Sequence, residues 1–209
     1  MDVYYHAVDP VTAFVLAAGK SSRMGEDKAF LELGGRTLLA RALELAKTVG
    51  SGPLIVGSQE KFAGFGTVVE DVYPERGPLG GIHAALKKTG TELNLMVAVD
   101  LPFLQPSFLN YLVSRSREAK AVVTVPRVEG SLQPLCAVYR RCFAEVAERS
   151  LLAGRNKINS LFAEVETEII EPEEWKRDGF AEEMFRNLNT QQDWDEATRV
   201  AGRDAGRRL

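Results

Sequence analysis

Lys20, Arg23 and Lys28 share one short stretch with two serines, Ser21 and Ser22, and two glycines, Gly19 and Gly25. That composition offers an anion both backbone N–H groups and positive charge, and a nucleotide's phosphates are the obvious ligand. Much further along, a carboxylate, Asp100, closes the apolar run Asn94-Leu-Met-Val-Ala-Val-Asp100. Taken alone, an aspartate after a strand is more often a loop cap than a metal ligand. Paired with the cationic loop it reads differently. A nucleoside triphosphate held with Mg²⁺, or with Mn²⁺ in its place, needs one or two carboxylates, the remaining ligands being water and phosphate oxygens.

The commoner phosphate loops do not fit. Gly19-Lys20-Ser21 resembles the end of G-x-x-x-x-G-K-[ST], but that pattern requires glycine at position 14, which is Phe14. The dinucleotide pattern G-x-G-x-x-G is also missing, because the next glycine after Gly19 is Gly25.

The elements that must position these residues follow from periodicity and punctuation. Thr12 to Ala18 is an apolar run suited to a strand buried on both faces. Phe30 to Leu33 is a short apolar piece closed by a Gly34-Gly35 turn, and Thr37 caps a helix that runs to Gly50. Leu54 to Val56 and Thr67 to Glu70 are the next strands, with Asp71 just past the second. Arg76-Gly-Pro-Leu-Gly-Gly81 opens a helix with proline at its first position. Gly80 and Gly81 either let that helix pack closely or let a ligand approach its N-terminus. His83, further along, reads as structural. After Asp100 come a helix from Pro106, a strand at Val122 to Val125, and a strand at Leu132 to Tyr139 whose Pro134 implies an edge or bulge. A helix at Arg140 to Leu152 and a short one at Ile158 to Phe162 follow. Acidic residues are dense from Glu164 to Glu183 and read as a solvated surface. Phe185 to Thr190 reads as a short strand before a last helix at Gln191 to Val200.

Strands alternating with helices imply an α/β fold with a doubly wound, mostly parallel sheet. The chain of 209 residues, 45% hydrophobic, is expected to form one domain over residues 1–209. Residues 11–125 would be a Rossmann-like nucleotide-binding half and 126–200 the acceptor-substrate half, with loose termini at 1–10 and 202–209. A net charge of −3 argues against broad nucleic-acid binding. Cys136 and Cys142 match no metal or redox spacing and read as ordinary thiols. With no signal peptide and no apolar run long enough to span a bilayer, about 20 residues, the expected location is the cytoplasm.

Leu16-Ala-Ala-Gly-Lys-Ser-Ser-Arg-Met-Gly-Glu-Asp-Lys28 resembles the motif L-A-[GA]-G-x-S-x-R-M-G-x-D-K of the molybdenum cofactor guanylyltransferases. Gly77-Pro-Leu-Gly-Gly81, after Arg76, resembles their G-P-L-x-G turn, and Asp100-Leu-Pro-Phe-Leu their D-x-P-F-L stretch. Gln133-Pro-Leu-Cys-Ala-Val-Tyr139 resembles H-P-L-x-A-L-Y, with Gln133 in place of histidine, and Asn187-Leu-Asn-Thr190 resembles the closing N-x-N-T. The resemblance implies a fold of the nucleotide-diphospho-sugar transferase type. It also implies Mg²⁺-dependent transfer of GMP from GTP to the terminal phosphate of molybdopterin or Mo-molybdopterin, with transient contact to other cofactor-biosynthesis proteins or recipient molybdoenzymes. Lys28, Arg23 and Asp100 would be the catalytic residues, Asp100 the metal ligand. Leu16, Ala17, Ala18, Gly19, Lys28, Asp71, Gly80 and Asp100 would bind nucleotide, and Gln133, Tyr139, Arg155, Asn187 and Asn189 the acceptor. Ala18 stands where a second glycine is common, a form shared with related cytidylyltransferases. A cytidylyltransferase acting on molybdopterin or on a sugar or polyol phosphate therefore stays open, as does a non-catalytic nucleotide-binding regulator.

Overall fold

A computed structural model describes residues 9–17, 27–50, 52–188, 190 and 193–198. The first apolar run is strand β1 (Val11–Leu16). After a 3-10 turn at Lys28–Phe30 come the hairpin strands β2 (Glu32–Leu33) and β3 (Arg36–Thr37), then helix α1 (Leu38–Ala46). Next are β4 (Leu54–Val56), the one-turn helix α2 (Gln59–Phe62), β5 (Val68–Val69), α3 (Pro78–Lys88), β6 (Leu93–Ala98) and α4 (Pro106–Ala119). The second half holds β7 (Val123–Val128), β8 (Ser131–Leu132), β9 (Cys136–Arg140), α5 (Phe143–Leu152), α6 (Ile158–Leu161), β10 (Thr167–Ile170) and α7 (Pro172–Arg177). Residues 193–198 are helical.

The main sheet has the order β10-β7-β9-β6-β1-β4-β5, with β8 hairpinned onto β7. Its pairs are parallel except those made by β8 and by β9, which runs antiparallel between β6 and β7. From β1 the chain moves outward through β4 and β5, then returns to the other side of β1 as β6. The β1–β6 boundary is therefore where the winding reverses, and ligands of open α/β sheets bind outside the carboxyl ends at such a boundary. Alternate residues of β1 feed opposite layers. Ala13 and Val15 face α1, α4 and α7, while Phe14 and Leu16 face α3, α5 and α6. Both faces are thus covered, as a doubly wound sheet requires. Thr37 caps α1 by accepting from the Ala40 N–H at 3.1 Å. Cys136 and Cys142 are both free. Among the described residues, no helix is long and apolar enough to cross a membrane.

Three segments differ from the sequence expectation. The run at Leu132 to Tyr139 is two strands, β8 and β9, joined by a turn in which the Cys136 N–H donates to the Gln133 carbonyl at 3.0 Å. Pro134 has no N–H for a ladder, and a strand flanked on both sides can begin only after it. Phe185 to Thr190 is not a strand: a 3-10 turn at Glu182–Phe185 leads into irregular chain. Thr190 nonetheless caps the last helix, accepting from the Asp193 N–H at 3.1 Å and donating its own N–H to the Asp193 carboxylate at 2.9 Å. Finally, the acidic tract is no uniform solvated surface. It supplies β10 and α7, with Ile170 and Trp175 fully buried. Its carboxylates answer two arginines: Arg115 meets Glu168 at 2.5 Å and Glu174 at 2.8 Å, and Arg127 meets Glu171 at 2.9 Å.

Trp175 anchors that edge, its indole N–H donating to the Arg127 carbonyl at 3.2 Å and its ring lying 5.5 Å from that of Phe185. Trp175→Ala should lower the unfolding free energy by about 3–5 kcal/mol in urea titration, whereas the exposed neighbour Glu173→Ala should stay within about 0.5 kcal/mol. Equal effects of the two would contradict a docked α7.

Candidate functional site

Leu16 lies opposite Ala98 in the parallel register of β1 and β6, so both strands end at one edge. Just beyond, the Val99 N–H donates to the Leu16 carbonyl at 3.2 Å and the Ala17 N–H to the Val56 carbonyl at 3.0 Å. Leu16 and Ala17 therefore form the floor of the edge with backbone groups already engaged in the sheet. Asp100 projects from this floor.

Lys28 reaches it from the other side through a short stiff support. The carboxylate of Asp27 accepts from the Ala29 N–H at 3.2 Å, capping the 3-10 turn that carries Lys28, and its second oxygen pairs with Lys61 at 2.8 Å. Lys28 Nζ then stands 3.6 Å from Asp100 Oδ2, with the side chains 21% and 25% exposed. That separation is long for a hydrogen bond but close for opposite charges, so the pair is held by attraction and not by a fixed bond, and either group can turn to a ligand. Arg41, on α1, ties the two loops together. Its guanidinium donates to the carbonyls of Leu33, in the hairpin after Lys28, and Pro102, in the loop after Asp100, at 3.4 and 3.5 Å. The backbone N–H of Leu188 adds a third tie, donating to the Asp100 carbonyl at 3.3 Å.

Asp71 follows β5, and its Oδ1 accepts from the Tyr73 N–H at 2.9 Å. The carboxylate lies directly over α3. A Cβ at Gly80 would fall 2.4 and 2.7 Å from the two Asp71 oxygens. Gly81 has a different reason: a Cβ there would meet Val56 Cγ1 at 3.0 Å, where helix and sheet touch. Sequence alone could not separate these two roles of adjacent glycines. Burial pushes the Asp71 carboxyl above its usual range, with the Tyr73 N–H and His83 working the other way. Its charge is therefore short of solvent and is an acceptor in want of donors.

On the other flank of Asp100, a cleft of about 530 Å³ is lined by Gln133, Asn187, Arg186, Glu129, Glu182 and Glu183, among others. The sequence candidates Gln133 and Asn187 thus come together there. Tyr139 does not. It is fully buried, packs on Phe143 at 5.1 Å, and donates its hydroxyl to the Pro134 carbonyl at 2.8 Å. It is a core residue that braces the β8–β9 turn, and, contrary to the sequence expectation, neither its ring nor its hydroxyl is open to an acceptor. Arg155 is exposed, pairs with Glu164 at 3.7 Å, and is not part of the cleft lining. Ala18, Gly19, Arg23 and Asn189 lie outside the described residues. Sequence reasoning missed Asp27 as a support, Arg41 as a tie and Arg186 in the cleft. Arg41 carried a signal, a charge on the inward stripe of α1 one turn after the buried Leu38.

The family model of the MobA-like NTP transferase domain matches residues 13–169. A probable molybdenum cofactor guanylyltransferase from Carboxydothermus hydrogenoformans is 31% identical, covering 91% of this chain and 96% of its own. The molybdenum cofactor guanylyltransferase of Desulfosudis oleivorans is 34% identical, covering 91% and 95%. Among solved structures, molybdopterin-guanine dinucleotide biosynthesis protein A from Archaeoglobus fulgidus superposes with a TM-score of 0.81 at 25% identity, covering 92% and 99%.

If Gly80 is glycine because of the Asp71 carboxylate, the two positions are energetically coupled. Gly80→Ala should destabilise by about 1–3 kcal/mol, and most of that should vanish in an Asp71→Ala background in a denaturation double-mutant cycle. Additive effects would disprove the close approach.

Proposed function

The chain belongs to the MobA-like NTP transferase family, and we propose that it transfers GMP from GTP to the terminal phosphate of molybdopterin or Mo-molybdopterin. The observation that carries this reading is the Lys28–Asp100 pair at the carboxyl edge where the sheet's winding reverses; the names of the similar proteins supply the substrates. An oxygen of the acceptor's phosphate attacks the α-phosphorus of GTP, the bond from that phosphorus to the bridging oxygen breaks, and pyrophosphate leaves. Such a transfer asks the protein for alignment and for charge on the phosphoryl oxygens rather than for a nucleophile.

Lys28 neutralises the α-phosphate oxygens, and Arg23 is assigned to the leaving pyrophosphate. Asp100 is suited to Mg²⁺. Among the described residues no group of three or more His, Cys, Asp or Glu could hold a metal by itself, and a single accessible carboxylate is the donor set appropriate to an ion that arrives with the triphosphate. When bound there, Mg²⁺ would supply positive charge to the phosphate oxygens. The floor of Leu16 and Ala17, with Gly80 at the start of α3, forms the nucleoside wall. Asp71 accepts from the N1–H and the 2-amino group of guanine, a donor pair that cytosine lacks. Gln133, Asn187 and Arg186 face the acceptor from their cleft. The free thiols Cys136 and Cys142 suit the reducing cytoplasm, where hand-over to recipient molybdoenzymes would take place.

Incubation with labelled GTP, Mg²⁺ and molybdopterin should yield pyrophosphate and a guanine dinucleotide. GTP, and not CTP, should raise the melting temperature in the presence of Mg²⁺; protection by CTP alone would overturn the guanylyl assignment. Lys28→Ala should fold normally and lose about 10²–10³-fold in kcat, the usual cost of removing one charge-stabilising group. Unchanged transfer would remove Lys28 from the mechanism.

A further inference from the structure

His83 has no part in the chemistry above, yet its environment is unusual. It is 1% exposed, and neither ring nitrogen has a hydrogen-bond partner among the described residues. A buried imidazole left unsatisfied costs stability, so some other contact must account for its place. Burial holds its pKa below the ordinary histidine value, which leaves the ring neutral at neutral pH. The charged groups facing it come from three elements: Lys87 on its own helix, Glu148 on α5, and Asp71 from the loop after β5. Glu148 Oε1 is 3.8 Å from His83 Nε2, too far for a hydrogen bond.

What the ring does touch is Tyr73, with centroids 5.2 Å apart and planes inclined at 59°. The Tyr73 hydroxyl is tethered in turn, donating to Glu148 at 3.4 Å, while Glu148 also pairs with Lys87 at 3.5 Å. The backbone N–H of Tyr73 is the group that holds Asp71 Oδ1, and the Asp71 carboxylate sits over Gly80, about one turn before His83 on α3. These contacts close a loop: α3 supports the imidazole, the imidazole supports the Tyr73 ring, Tyr73 fixes the Asp71 carboxylate, and the carboxylate returns to α3.

We infer that His83 is a positioning residue for base selection. Its ring fixes Tyr73, and Tyr73 sets the direction in which Asp71 presents its oxygens to the N–H donors of a purine nucleotide. The inference rests on the proposal that Asp71 reads guanine. The contact with Tyr73 is one of packing, so a ring of similar size can replace the imidazole, whereas a methyl group cannot.

The test compares GTP with inosine triphosphate, which keeps N1–H and lacks the 2-amino group. Asp71→Asn should cut the GTP preference in kcat/KM by roughly tenfold, the worth of one hydrogen bond to a charged group. His83→Ala should do the same through KM, with kcat for GTP within about twofold of the parent. His83→Phe should keep the preference. Leu86→Ala, a buried change elsewhere on α3, should lower stability and leave the preference alone. If His83→Ala does not fold, Tyr73→Ala removes the same ring contact while keeping the backbone N–H, and should lose the preference equally. A lost preference with Asp71→Asn but not with His83→Ala or Tyr73→Ala would overturn the positioning role and spare the base-reading role. No change with Asp71→Asn would remove the base-reading role, and this inference with it. Loss with Leu86→Ala or with His83→Phe would mean general loosening or a need for the imidazole itself, and either would refute the ring contact as the cause.

Discussion

Lys28 and Asp100 approach within 3.6 Å only because two strands that are distant in sequence lie side by side in register. Asp100 sits two residues past β6 and Lys28 in the 3-10 turn before β2, and each position is tied down by groups with no chemical part of their own. Asp27 stiffens the turn under Lys28; Arg41 and the Leu188 N–H hold the loop around Asp100. A part-buried pair at this long separation adds little to stability. In the proposed transfer its value would be that both charges are preset where phosphoryl charge develops, so that little reorganisation remains for the moment of reaction.

The surrounding sheet can be understood as what that placement demands. A carboxyl edge is useful only if both faces of the strands beneath it are buried, and the alternation along β1 sends Val15 to one layer and Phe14 to the other. On one side α3 must come close enough for Gly81 to touch Val56 and for Gly80 to pass beneath Asp71. On the other, the antiparallel β9 pulls the β8–β9 turn, and with it Gln133, toward the cleft beside Asn187.

Much of this is legible in the sequence. The parallel strands, the Thr37 cap and the helix beginning at Pro78 rest on local signals, apolar runs and cap residues, while the choice of Lys28 and Asp100 rests on the family resemblance of the motifs that hold them. What stayed hidden was set by distant partners. Tyr139 sat inside a motif associated with substrate, but its burial depends on Phe143 and Phe162 packing over it. The acidic tract looked solvated because its cations, Arg115 and Arg127, are contributed from α4 and β7. No composition window contains both halves of such a pair.

At Asp71 the cost of a desolvated carboxylate can be set against the function proposed for it. Its folded pKa lies above the usual 3.8, so its favourable contribution is complete below pH 3.8 and is lost as pH rises through the raised value. His83 is the converse. Its pKa lies below the usual 6.5, and the stability it contributes is present above that value and lost as pH falls through the lowered one. At neutral pH the imidazole is therefore in its preferred form and the carboxylate is not. A ligand that brings N–H donors to Asp71 relieves the desolvation of that charge, lowers its pKa and strengthens its own binding by the same free energy. On the proposed reading, the desolvation that raises the Asp71 pKa is what would make this carboxylate discriminate between bases.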